Sequence, residues 1–160
     1  MKHKIYPFLA SILFLFNALG AAAGEPVIPT EVSEPPYSVG DLVMEQGYYI
    51  DRGEGETRIN LRFFENRLRL YWIDENGLIA EPESSEATVR FLGTIGTQQR
   101  YNLLVSLPEG AGLGAPGLVP PPHIFNLILH IPASGERGEL THNIRYIAAL
   151  NEPVDPTQGE

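Results

Sequence analysis

"TRINLRFFENRLRLYW", Thr57 to Trp72, decides the fold class. Ile59, Leu61 and Phe63 alternate with Arg58, Asn60 and Arg62; after Glu65 and Asn66 the chain returns with Leu68, Leu70 and Trp72 alternating with Arg67, Arg69 and Tyr71. A period of two is the repeat of an extended chain, whose successive side chains point to opposite faces. The stretch therefore reads as a β-hairpin that turns one apolar face to a core.

The same alternation recurs further on. "ATVRF" directs Ala87, Val89 and Phe91 inward, and "YNLLVSL" directs Tyr101, Leu103, Val105 and Leu107 inward. "IFNLILHI" gives Phe125, Leu127, Leu129 and Ile131, and "NIRYIAAL" gives Ile144, Tyr146, Ala148 and Leu150, although "RYIAAL" also suits a short helical turn. With short strands near Tyr48 to Ile50 and Leu78 to Ala80, the expectation is an immunoglobulin-like β-sandwich of about seven or eight antiparallel strands. A small β-barrel is the alternative that the same pattern permits.

The first 23 residues carry Lys2 and Lys4, an apolar run from Ile5 to about Gly20, and small residues at Ala21 and Ala23. That order is the pattern of a secretory signal peptide cleaved after Ala23, and the run is shorter than the ~20 apolar residues of a membrane-spanning helix. The mature chain is expected in the periplasm or outside the cell. It carries 20 acidic and 9 basic residues, because cleavage removes two of the 11 bases and no acid. Such a balance disfavours nucleic acid and anionic membrane as partners. There is no cysteine, so neither a disulfide nor a lipid-anchored N-terminus is available. Residues 24–40 contain Pro26, Pro29, Pro35 and Pro36 and read as an extended leader or spacer. Residues 41–150 are expected to form one domain and 151–160 a flexible polar tail.

Between Trp72 and Ala87 the D-x-N-G string of Asp74, Asn76 and Gly77 admits two readings. Aligned to a calcium loop of the EF-hand kind, Asp74, Asn76 and Glu83 take ligand positions, but the first ligand falls on Trp72 and the flanks are strands rather than helices. The other reading is a structural turn. A four-residue loop, Asp74 to Gly77, sets Ile73 against Leu78 and Trp72 against Ile79, with the Asp74 carboxylate capping backbone amides and Gly77 at positive φ. "YWIDENGLIAEPESSEATVRF", Tyr71 to Phe91, resembles the strand, D-x-x-G turn and A-x-V-x-F strand of bacterial immunoglobulin-like and transthyretin-like accessory domains of exported proteins. The resemblance implies a domain that binds, spaces or presents, and it carries over no catalytic residue.

"PEGAGLGAPGLVPPP", Pro108 to Pro122, contains G-x-G-x-x-G, but Pro116 and the Pro120 to Pro122 run forbid the helix of a dinucleotide site, and no cofactor is expected. Read as a fifteen-residue loop without secondary structure, it offers Leu113, Leu118 and Val119 to a partner, joined by Tyr48 and Tyr71, or folds back over one end of the domain. His123 and His130, read as one strand, point to opposite faces, and the register places His142 on the core side with His130 outside. There is no G-x-S-x-G elbow, and acids such as Glu81 and Glu83 suit solvated turns. The expectation is a non-catalytic binding or accessory module for another envelope or secreted protein. The alternative is a metal or small-ligand carrier using His130, His142 or Asp74.

Overall fold

The computed structural model describes residue 29, residues 31–93 and residues 100–153. The expected signal peptide and the last residues of the tail lie outside the described residues. Eleven strands follow in order: β1 (Glu31–Val32), β2 (Leu42–Val43), β3 (Tyr48–Ile50), β4 (Arg58–Phe64), β5 (Arg67–Ile73), β6 (Ile79–Ala80), β7 (Glu86–Leu92), β8 (Arg100–Ser106), β9 (Leu113–Leu118), β10 (Phe125–Ile131) and β11 (Leu140–Tyr146). A 3-10 turn, Ala148–Asn151, ends the described chain's regular structure, where the sequence admitted a short helical turn.

β4 and β5 pair as the opening stretch predicts, with Ile59 opposite Trp72, Leu61 opposite Leu70 and Phe63 opposite Leu68. Glu65 and Asn66 both take positive φ, 48° and 60°, the backbone of a two-residue turn whose twist matches that of the strands it joins. From this hairpin one antiparallel sheet of nine strands runs β11-β10-β7-β8-β9-β5-β4-β3, with β6 on β5. The sheet curls until its ends meet. Gly47 N–H donates to Leu150 C=O at 2.8 Å, the Tyr48 and His142 rings are 6.1 Å apart, and Phe63 on β4 packs edge-on against Tyr146 on β11.

The main core is built from Leu61, Leu70 and Trp72 on one side and Val89, Leu127 and Leu129 on the other. The all-β expectation holds, and an unbroken, nearly closed path around that core is the barrel-like form of it. β1 and β2 form a separate parallel pair on the outside.

Four sequence expectations are corrected. β8 is turned the other way: Leu104 is fully buried, while Tyr101, Leu103 and Val105 face outward. Its register is set by β7, where Leu104 pairs with Ala87 and Asn102 with Val89, both wholly buried, and a one-residue slip would invert every side chain.

Residues 108–122 are not a structureless loop, because they contain β9, held between β8 and β5. "LGAPGL" lacks the β-branched and aromatic residues that advertise a strand. Pro116 is tolerated where the β5–β9 register shifts between Arg67 and Arg69, and its carbonyl accepts a hydrogen bond from Arg67 Nη1 at 2.7 Å. Gly112 of the G-x-G-x-x-G string passes so close to Tyr71 that a Cβ would sit 2.6 Å from its ring, which is why glycine stands there.

The leader is docked from residue 31 rather than free. Tyr37 is buried, its carbonyl accepts from Ala111 N–H at 2.7 Å, and Gly40 N–H donates to Ile79 C=O. At the D-x-N-G turn Ile73 pairs with Ile79 and Trp72 with Ala80, one residue off the expected register. Asp74 N–H donates to Leu78 C=O and Gly77 N–H to Asp74 C=O, so the loop proper is three residues, Glu75 to Gly77, with Gly77 at φ +81°.

Candidate binding surface

The inversion of β8 exposes an apolar row. Leu103 is 50% exposed, Val105 and Tyr101 similarly so, and they stand opposite Thr88, Glu86 and Arg90 of β7. An interior strand with one face on the core and the other in water ordinarily reads apolar-in and polar-out. On β8 the outward face carries the larger apolar side chains, and the inward face carries Arg100, Asn102, Leu104 and Ser106.

Where β7 and β9 end and β8 and β10 begin, the barrel opens into a cleft of about 450 Å³. Phe91 and Phe125 line it, their rings 5.1 Å apart and edge-on, and Leu92, Leu118, Val119 and Ile124 line it with them. Its polar side chains among the described residues are Arg100, Asn102 and Asn126, with no carboxylate among them. Arg100 pairs with Phe91 and Asn102 with Val89, so both point to the inner face of the sheet. This volume and this mixture of an apolar lining with a few polar groups are those of small-molecule sites, which β-barrels often place at their mouths.

The far end of β10 is closed. Glu83 receives both Arg52 Nη1 and Nη2, at 2.8 and 2.6 Å, and the Thr57 hydroxyl at 2.6 Å, with Arg137 Nε 3.5 Å away. Arg137 also pairs with Glu56. The Arg52 hydrogen bonds hold the Glu83 carboxyl below the usual carboxylate range despite its partial burial. This clasp joins segments that the β-ladders leave unconnected, and it is saturated by its own partners.

A third polar cluster lies under the leader. Arg62, 1% exposed, donates from Nε to Asn60 Oδ1 at 2.5 Å and from Nη1 to the Tyr37 hydroxyl at 3.3 Å, and its guanidinium lies over the Tyr37 and Tyr71 rings. Arg62 Nη2 and the Tyr71 hydroxyl have no hydrogen-bond partner among the described residues. Burial pushes the Tyr71 hydroxyl up to about 12, so the ring stays neutral and the cation is held by π-faces rather than by a counter-charge. Alternation alone assigned Arg62 to a solvated face; the leader that covers it comes from a segment read as spacer.

The expected site residues separate. Leu113 and Tyr71 are fully buried and Val119 is partly buried against the core, so none of these forms an exposed partner surface; Leu118 is 63% exposed at the mouth. Tyr48 packs half-buried beside the core near His142. His130 bonds the Thr141 hydroxyl at 3.1 Å on the outer face, while His142 pairs with Leu129 on the inner side and Asp74 serves its own turn by accepting from Asn76 and Leu78 N–H. These three are not brought together. Among the described residues no group of three or more His, Asp or Glu side chains is placed to hold a metal ion.

His123 precedes β10 rather than lying in it. Its ring stacks on Phe63 at 4.2 Å, with Nε2 2.9 Å from Val119 C=O and Nδ1 2.7 Å from Asn151 Nδ2. Arg100 and Asn102 were legible only through the less apolar of the two possible β8 faces. Comparison with family models, with curated proteins and with solved structures gives no match for the chain.

Proposed function

We propose that the protein is an exported, non-catalytic binding module that docks another envelope or secreted protein on the outer face of β8. The observation that carries this reading is the row Leu103, Val105 and Tyr101, exposed on a strand whose inner face is anchored by Leu104. A contiguous apolar row on an otherwise acidic chain keeps its cost in water only where a partner removes it. The charges that flank it stand at its two ends, Glu86 opposite Val105 and Arg90 opposite Tyr101, which leaves the centre of the row uncharged as interface centres are. Export rests on the basic, apolar and A-x-A order of the first 23 residues. No helix among the described residues is long and apolar enough to cross a membrane.

The test is capture by the tagged protein from the envelope fraction of its own cell, in parallel with Leu103→Asp. A protein retained by the parent and lost with Leu103→Asp, at unchanged thermal midpoint, supports the reading. Identical capture by both chains overturns it.

A further inference from the structure

We propose that the barrel mouth is a second, separate binding site, for a small amphipathic carboxylate whose charged head meets Arg100 and whose hydrocarbon chain lies along Leu118, Ile124 and Phe125. The site goes beyond the docking reading and uses the inner face of β8 where that reading uses the outer one. Charge complementarity identifies the head group. The chain has 20 acids and 11 bases, yet among the described residues the cleft is lined by one cation and no carboxylate. Arg100 makes no ion pair among the described residues.

Strand geometry fixes the polarity of the ligand. Arg100 is the first residue of β8 and Asn102 lies one inward position deeper, so the guanidinium stands at the rim with an amide beneath it. A carboxylate held at the rim keeps part of its hydration while it accepts a forked pair of hydrogen bonds from arginine. Leu118 and Ile124, 63% and 59% exposed, are the surface that a hydrocarbon chain would remove from water, with Phe91 and Phe125 at its end. A cleft of about 450 Å³ suits a molecule of modest size rather than a folded surface.

The test is calorimetric titration of the full-length mature protein with octanoate, decanoate and decyltrimethylammonium, each below its micellar concentration. The proposal expects saturable binding of decanoate at one site, affinity rising about fourfold per added methylene, and decyltrimethylammonium at least tenfold weaker. Arg100→Gln, at an exposed position, should weaken decanoate about tenfold and abolish the preference for the anion, with the thermal midpoint unchanged. Leu103→Asp should leave decanoate binding intact, which separates this site from the docking face. Equal affinity for both head groups, indifference to Arg100→Gln, or no saturable binding would overturn the proposal. So would tighter binding of an apolar peptide with a free C-terminal carboxylate, since that would make the occupant a chain end rather than a small molecule.

Discussion

Arg100 on β8 and Phe91 on β7 are directly paired, so a guanidinium and a core aromatic share the inward face of the sheet. A strand that follows its apolar count would put Tyr101 there instead. Leu104 alone anchors β8 in the core, and the price of that orientation is an apolar row left in water on the other side.

The Arg52–Glu83 clasp should make stability acid-sensitive. The folded-state pKa of Glu83 is depressed below its ordinary value of 4.5, so the contribution is complete above that value and is lost as pH falls through the folded-state value. Glu83→Gln should cost roughly 1.5 kcal/mol or more at neutral pH, as expected for hydrogen bonds to a charged group, and should flatten the acid limb of the stability curve. Urea unfolding of both proteins from pH 7 downwards measures each effect.

The tyrosines report on the opposite limb. Burial pushes Tyr71 and Tyr146 up to about 12, above the ordinary 10, so the stability tied to their neutral forms is complete below pH 10 and declines as pH rises through 12. A spectrophotometric titration of the six tyrosines of the mature chain should show two that ionise last. Tyr71→Phe removes a buried hydroxyl that has no partner among the described residues and keeps the ring beneath Arg62. It should leave stability unchanged or raise it by up to ~1 kcal/mol, and the last-ionising step should shrink.

At the D-x-N-G turn, Gly77→Ala should destabilise by roughly 1–2 kcal/mol, because φ +81° places an L residue in the left-handed region and the new methyl would touch Leu42 Cδ1 at 3.4 Å. Calcium should leave the thermal midpoints of parent and variant unshifted, since the Asp74 carboxylate already accepts Asn76 and Leu78 N–H.

Deleting residues 109–119 removes the whole of β9, the strand between β8 and β5. The product should lack a cooperative thermal transition, rather than behave as a folded protein with a shortened loop. Circular dichroism through a thermal ramp distinguishes the two.

The legible part of this fold is the part where one face is apolar and the other is not. β4, β5, β7 and β10 each carry three or more buried residues at alternate positions, and their registers follow from that pattern. β8 carries Leu103, Leu104 and Val105 in succession, so both faces claim it and counting favours the wrong one. Between its two leucines β9 holds only small residues and a proline, and it becomes a strand because β5 and β8 present their edges to it. Arg62 and Tyr71 were unreadable for another reason: the cover over the outer face of β4 and β5 comes from Tyr37, more than twenty residues upstream in a proline-rich segment. The mouth shares the fate of β8, since Arg100 and Asn102 reach it only through the inverted face.

Everything proposed for the two surfaces depends on which way β8 faces, and the absence of native cysteine allows that to be measured directly. Single Leu103→Cys and Leu104→Cys proteins are treated with a thiol reagent under native conditions and again in denaturant. The account predicts that the thiol at position 103 reacts at nearly its denatured rate, while the thiol at 104 is protected until the protein unfolds. Protection at 103 with reaction at 104 would contradict it and would return Arg100 to the solvent face.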